Sequence, residues 1–221
     1  DIFIYTQELK KNNALMGLEI AATNRTKDAQ TVKITCFDPQ NKPVWNTTKS
    51  IANEPLKLDF EIAEPQIWWS NGLGEHPLYR VQVELFDTKG KLLHQKSVET
   101  GIRTVEIEEI KDKEGNGSSF TVILNGKRVY IKGGNWVPAD PFPARITKNQ
   151  YATLLKQAQD AGVNMLRVWG GGIFEPQEFW DLCNRMGILA SQDFMLACGG
   201  YPDGDMEFVQ LCQTEVEANV K

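Results

Sequence analysis

The sequence predicts two domains of different class. Residues 1–105 are expected to form an immunoglobulin-like β-sandwich, and residues 106–221 the N-terminal part of a (β/α)8 TIM barrel with about three βα units. Three observations lead to this prediction. The first half contains short segments of alternating apolar and polar residues, and the second half alternates strand patterns with helix patterns. The periodicity of apolar residues changes near residue 105.

The first half is predicted to be all β because its apolar positions repeat with a period of two. Residues 79–85 show this most clearly, since Tyr79, Val81 and Val83 alternate with polar side chains and so give a strand with one wet face. Asn, Asp, Gly and Pro residues separate the segments. About seven such strands within about 100 residues are typical of an immunoglobulin-like sandwich.

A hairpin and a capped helix are predicted to open the second half. Asn125-Gly126 is a strong turn dipeptide, and the second strand of its hairpin, RVYIKG, is expected to begin the new domain. Thr147 and Gln150 have the spacing of a capping box, and Gly162 stands where the following helix is expected to end.

Strands and helices then continue to alternate. The apolar runs VNMLRVW and ILASQDF predict buried strands, separated by a helix that starts at Pro176 and ends at Gly187. Asp205 is expected to cap a third helix with Met206, Val209, Cys212, Val216 and Val220 on one stripe. The resulting order, β-α-β-α-β-α, predicts a parallel sheet with right-handed crossovers.

Three βα units cannot close an eight-stranded barrel, because two strand edges would stay open. Either the sheet is doubly wound or the chain is a piece of a longer one. The absence of a stop signal before Lys221 favours the second interpretation.

Composition excludes several classes of function. The formal net charge is -5 and no Lys/Arg cluster occurs, so no nucleic-acid partner is expected. No apolar run approaches the roughly 20 residues that span a bilayer, so no membrane partner is expected. The four cysteines are too widely spaced for a metal site, and we predict neither a metal nor a cofactor.

Function in a (β/α) barrel gathers at the C-terminal ends of the strands, which here read GGNW, RVWGGG and QDF. Arg167 lies inside an apolar run, where a buried cation needs a partner, and Asp193 ends the adjacent strand at a similar height. We therefore predict an Arg167–Asp193 pair that is able to hold a second carboxylate. A purely structural pair is the alternative.

Aromatic residues at two strand ends suggest a sugar. Trp136 and Trp169 could stack on the C–H faces of a sugar ring, and the alternative for both is packing. Asp140 either faces the cleft or initiates a turn before Pro141.

These segments together resemble a known group of enzymes. GGNWVPAD, NMLRVWGGG and DLCNRMGILASQDF are similar to the glycoside hydrolase clan that contains β-galactosidase, β-glucuronidase and β-mannosidase. RVWGGG and QDF resemble the β-mannosidase branch of glycoside hydrolase family 2. The stretch from WWSNGLGEHPLY to GIRTVEI is similar to that family's join between its immunoglobulin-like domain and its barrel.

The resemblance implies a retaining hydrolase that removes terminal β-linked mannose and acts outside the cytoplasm. Such chemistry needs two carboxylates about 5–5.5 Å apart. The family places its acid/base Glu after strand four and its nucleophile Glu after strand seven, so both are expected beyond Lys221. No catalytic residue is therefore expected in this chain, which should be inactive alone.

The resemblance also suggests roles for residues that are present. Arg167 would support the nucleophile, and Asp193 and Trp169 would shape the pocket around the terminal sugar, with Trp136 and Asp140 as further candidates. Two alternatives stay open at this point: an endo-β-mannosidase or other β-glycosidase of the same clan, and a non-catalytic carbohydrate-binding or interaction module.

Overall fold

The computed structural model describes residues 1–22, 29–51 and 55–220. The chain forms two compact units, of which the first comprises Asp1–Trp69 with Gly74–Tyr130 and the second Ser70–Leu73 with Ile131–Lys221. No α-helix in the described ranges combines the length and apolar character that crossing a membrane requires.

Seven strands make up most of the first unit. They are β1 (Ile2–Lys10), β2 (Asn13–Ile20), β3 (Ala29–Phe37), β4 (Pro43–Ser50), β5 (Leu56–Ala63), β6 (Tyr79–Asp87) and β7 (Leu92–Thr100). They pair antiparallel in two sheets, with strand order β1-β2-β5 in one and β4-β3-β6-β7 in the other.

One hydrophobic core joins the two sheets, because alternate residues of each strand point into it. Met16 and Leu18 of β2 lie in the same buried cluster as Ile34 of β3 and Val81 of β6. The period-two pattern predicted a half-buried strand at residues 79–85, and β6 has this alternation from Tyr79 to Val83. The prediction of a mostly β first half is therefore confirmed.

A small third sheet completes the first unit. It consists of β8 (Val105–Glu108), β9 (Thr121–Leu124) and β10 (Lys127–Val129), antiparallel in the order β10-β9-β8. Asn125 and Gly126 join β9 to β10 with φ of 51° and 74°, the left-handed conformations that a type I′ hairpin turn requires. The predicted hairpin is present.

The first unit extends beyond the predicted boundary near residue 105, to Tyr130. Asn125 accounts for this, since its side chain donates a hydrogen bond to the carbonyl of Trp68 at 2.9 Å and accepts one from the backbone N–H of Thr104. RVYIKG therefore does not open the second domain as predicted, because β10 ends at Val129 and pairs back onto β9.

The second unit alternates strand and helix. Its elements are β11 (Gly133–Trp136), α1 (Lys148–Asp160), β12 (Met165–Val168), α2 (Gln177–Met186), β13 (Leu189–Gln192) and α3 (Met206–Asn219), with a single 3-10 turn at Pro143–Arg145. The strands form one parallel sheet in the order β11-β12-β13. The predicted order and parallel pairing are thus present.

Local signals define the helix ends close to where the sequence predicts them. Thr147 and Gln150 form the full capping box before α1. Gly187 ends α2 with φ of 70°, and the Asp205 carboxylate accepts from the backbone N–H groups of Glu207 and Phe208 in the first turn of α3. Pro176 is the N-cap of α2 and lies one residue outside the predicted first position.

The helices cover one face of the sheet. Leu166 and Val168 of β12 pack with Tyr151 of α1 and with Phe179 and Cys183 of α2. The predicted stripe of α3 is only partly covered: Val209, Cys212 and Val216 are half-buried, whereas Met206 and Val220 are 75% and 64% exposed.

Four residues from the connection between β5 and β6, Ser70–Leu73, belong to the second unit. Nδ2 of Asn71 donates to the carbonyl oxygens of Gln159 at 2.8 Å and Val163 at 2.9 Å. The backbone N–H of Asn71 donates to the carbonyl of Gly187 at 2.7 Å. Carbonyls at helix C-termini lack intrahelical partners, and Asn71 supplies donors at the ends of both α1 and α2.

Candidate functional site

The C-terminal ends of β11, β12 and β13 lie side by side because the strands are parallel and in register. Trp136 is opposite Val168, which is opposite Gln192. One residue earlier, Asn135, Arg167 and Ser191 form a row across the sheet. Since neighbouring residues on a strand point to opposite faces, this row lies on the face away from the helix-covered Val168.

Arg167 and Asp193 form a bidentate ion pair. Nε of Arg167 donates to Oδ1 of Asp193 at 3.0 Å, and Nη2 lies 2.6 Å from Oδ2. Two parallel N–H···O bonds fix the plane of the guanidinium as well as its position. The Asp193 carboxylate also accepts from the backbone N–H of Gly170 at 3.3 Å, which ties the pair to the start of the glycine run.

The predicted charge pair is present, but the predicted burial of Arg167 is wrong. Its side chain is 53% exposed, whereas that of Asp193 is 29% exposed. The apolar run around Arg167 suggested a strand buried on both faces, yet β12 buries only Leu166 and Val168 on the helix side. Arg167 projects from the other face, where the described residues supply no helical layer.

Asn135 is a third member of this group that the sequence did not single out. Its Oδ1 accepts a hydrogen bond from Nη1 of Arg167 at 3.2 Å. The parallel register places the two residues directly opposite one another. Strand register is the signal that finds Asn135, and it becomes available only when β11 is assigned to GGNW.

Trp169 follows β12 directly and is half-buried. Its backbone N–H donates to the carbonyl of Trp136 at 3.0 Å. A β-carbon at Gly171 would lie 2.2 Å from the Trp169 ring, and one at Gly170 would lie 2.4 Å from the carbonyl oxygen of Phe194. The lack of a side chain at Gly171 therefore leaves room for the Trp169 ring.

Trp136 points away from the Arg167 group and into the helix-side core. Its ring packs against Phe179 and Tyr151, with ring centroids 5.0 and 6.4 Å apart. Its Nε1 donates to Oε1 of Glu175 at 2.9 Å. The structure thus does not bring Trp136 together with Arg167 and Asp193.

Asp140 has the geometry of a turn residue. Its Oδ1 accepts a hydrogen bond from the backbone N–H of Phe142 at 2.7 Å, two residues further along the chain. Of the two alternatives for Asp140, the contact observed is the one that stabilises the turn.

Glu175 is a buried carboxylate that the sequence analysis did not predict. It is 6% exposed, and its second oxygen accepts from the Tyr151 hydroxyl at 2.5 Å. Burial, together with this hydrogen bond, raises the pKa of Tyr151. Burial and then the charge of Glu175 raise the pKa of the Cys183 thiol to about 12.

No set of three or more His, Cys, Asp or Glu side chains within residues 1–22, 29–51 and 55–220 is arranged to hold a metal ion. The Arg167 group instead offers hydrogen-bond donors and acceptors, and Trp169 follows Arg167 by two residues in the chain. Such an arrangement can orient a polyhydroxylated ligand or a carboxylate.

Comparisons with known proteins agree with this geometry. The family model described as Glycosyl hydrolases family 2 matches residues 1–103. The chain is 40% identical over 166 residues to a β-mannosidase of Bos taurus, covering 75% of this chain and 18% of that protein. It is 34% identical over 182 residues to β-mannosidase B of Emericella nidulans, covering 82% of this chain and 21% of that protein.

A solved structure extends the similarity to nearly the whole chain. The crystal structure of β-D-mannosidase from Dictyoglomus thermophilum superposes with a TM-score of 0.85 at 37% identity, covering 98% of this chain and 26% of that one. The chain spans about a fifth of the length of the two curated relatives. It belongs to glycosyl hydrolases family 2 and is related to the β-mannosidases of that family.

Proposed function

We propose that this chain is part of a retaining glycoside hydrolase that removes terminal β-linked mannose from oligosaccharides or glycans. The observation that carries the proposal is the bidentate Arg167–Asp193 pair at the C-terminal edge of a parallel sheet, in a chain similar to β-mannosidases. In this proposal the first unit is an immunoglobulin-like sandwich and the second is the start of a TIM barrel.

The polar row on the sheet supports a barrel over a doubly wound sheet. A doubly wound sheet is covered by helices on both faces, and its strands are apolar on both. Here the face opposite α1 and α2 carries Asn135, Arg167 and Ser191 near the strand ends. The active sites of (β/α)8 enzymes lie at the C-terminal ends of the barrel strands, where such polar residues are found.

Arg167 has donors left for a substrate or a catalytic carboxylate. A guanidinium carries five N–H groups, and the contacts to Asp193 and Asn135 engage three of them. One N–H on each terminal nitrogen stays outside these contacts. We assign them to the nucleophile carboxylate or to a sugar hydroxyl, with the Trp169 indole stacked on the sugar ring.

The carboxylates that cut the bond are proposed to lie beyond Lys221. Glu175, the buried carboxylate nearest in sequence to the glycine run, is engaged by Trp136 and Tyr151 on the helix side of the sheet. It is therefore not free to attack a sugar at the Arg167 face, and this chain alone is proposed to be silent.

Hydrolysis of an aryl β-mannoside tests the proposal. The full-length protein should release the aryl group, and proton NMR of the first product should detect β-mannose, as retention requires. The 221-residue chain should give no turnover, and turnover by it would overturn the placement of the carboxylates. A panel of other β-glycosides and of internal β-mannosidic linkages, run in parallel, separates exo-mannosidase action from the other activities of the clan.

A further inference from the structure

We infer that Asn135 is a positioning residue that orients the Arg167 guanidinium and so determines which of its N–H groups face the sugar. The inference rests on the proposed function, since the orientation matters only if Arg167 takes part in the site. Asn135 acts through Arg167 and is assigned no contact with the substrate.

The contact between Asn135 and Arg167 lies opposite the contact with Asp193. Asp193 accepts from Nε and Nη2, whereas Asn135 accepts from Nη1 at 3.2 Å. Two anchors on different nitrogens hold the guanidinium against rotation about the Cδ–Nε bond. With either anchor removed, the remaining one leaves that rotation less restricted.

Asn135 adds a restraint to an ion pair that is exposed in this chain. Exposed ion pairs between flexible side chains are weakly held, because water competes for both partners and side-chain entropy favours other rotamers. Asp193 fixes the plane of the Arg167 guanidinium, and the Asn135 contact adds a restraint on Nη1, the nitrogen that Asp193 does not reach. Asn135 has a short side chain with few rotamers, and so its acceptor oxygen occupies few positions relative to the backbone.

Backbone geometry brings Asn135 to this position. A β-carbon at Gly133 would lie 1.7 Å from the carbonyl oxygen of Met165, so only glycine allows β11 to approach β12 this closely. Two residues later, Asn135 pairs in register with Arg167. Asn135 is itself exposed, and so packing does not explain its orientation toward Arg167.

A double-mutant cycle in the full-length protein tests the inference. With an aryl β-mannoside, Asn135→Ala should lower kcat by about 10- to 100-fold, the order of loss expected from a displaced catalytic group. In an Arg167→Ala background the same change should have almost no further effect. The control is Asn149→Ala, on the exposed surface of α1, which should leave kcat and the melting temperature unchanged.

Each outcome of the cycle is decisive. Additive losses in the two backgrounds, or an Asn135→Ala enzyme with normal kcat, would overturn the inference while the proposed function stands. A crystal structure of the full-length Asn135→Ala variant gives an answer that needs no activity. It should show the Arg167 guanidinium rotated or in several conformations, and an unmoved guanidinium would overturn the inference even if the wild-type protein cleaved no mannoside.

Discussion

The hydroxyl of Tyr151 donates to Oε2 of Glu175 at 2.5 Å, and this contact links α1 to the segment that leads into α2. Both residues are almost fully buried. Trp136 supplies a second donor, at 2.9 Å from the other oxygen. Two hydrogen bonds to the carboxylate compensate in part for removing its charge from water.

Replacing Glu175 by Ala should destabilise the fold by about 2–4 kcal/mol, because it leaves the Tyr151 hydroxyl and the Trp136 indole N–H buried without their acceptor. Urea unfolding followed by tryptophan fluorescence measures the loss. Glu178→Ala is the control, since Glu178 is exposed in the first turn of α2 and its loss should cost about 0.5 kcal/mol. Equal losses in the two variants would contradict a special role for the buried carboxylate.

Replacing Arg167 by Ala in the full-length protein should lower kcat about 100-fold or more, because a charged donor that acts on the transition state is removed. In the 221-residue chain, where the ion pair is exposed, the same change should lower the free energy of unfolding by less than about 1 kcal/mol. Steady-state kinetics and thermal unfolding measure the two effects. A loss of stability in proportion to the loss of activity would favour a purely structural pair.

Two neighbouring glycines of β11 should respond differently to the same change. A β-carbon at Gly133 would collide with the carbonyl oxygen of Met165, whereas one at Gly134 would meet nothing within 4 Å. Gly133→Ala should therefore separate β11 from β12 and destabilise the protein by about 2 kcal/mol or more, and Gly134→Ala should be nearly neutral. Thermal unfolding of both variants tests this, and similar melting temperatures would refute the close approach.

Alkaline pH should weaken the fold through two buried thiols. Burial, with a smaller contribution from the charges of Asp38 and Glu175 respectively, raises the pKa of Cys36 and of Cys183 from 9.0 to about 12. The folded chain keeps protons that the unfolded chain releases above pH 9. Their contribution to stability is therefore full below pH 9 and is lost as the pH rises toward 12.

Urea unfolding at about pH 8 and about pH 10.5 measures this loss. The Cys183→Ala variant has no thiol at that position, and so its stability should fall less steeply between the two pH values than that of the wild type. An identical decline in both proteins would mean that Cys183 ionises as readily in the folded chain as in the unfolded one.

Structural features that depend on residues close together in the sequence were predictable. The Asn125-Gly126 turn and the Thr147–Gln150 capping box depend on the dihedral angles and hydrogen bonds of a few adjacent residues, and both are present. The Arg167–Asp193 pair was also predictable, because parallel strands align their C-terminal ends.

Features that depend on which face a strand buries were not predictable. A four-residue strand such as β12 reads as a continuous apolar run whether one face is covered or two, so the exposure of Arg167 was missed. The bond from Trp136 to Glu175 joins residues 39 apart in sequence, and no local pattern marks either partner. The end of the first unit at Tyr130 depends likewise on a long-range bond, from Asn125 to Trp68.

Asn71 lies between two strands of the first unit but donates to Gly187 of the second unit, to which it belongs. Neither unit is therefore encoded by one continuous segment of the gene. A cut between codons 130 and 131 would give a downstream piece without Ser70–Leu73, and the carbonyls of Gln159, Val163 and Gly187 would lose the donors that Asn71 supplies. During translation, Asn71 leaves the ribosome long before its last acceptor, Gly187, has been made. The hydrogen bonds of Asn71 can therefore be completed only after α2 and Gly187 have been synthesised.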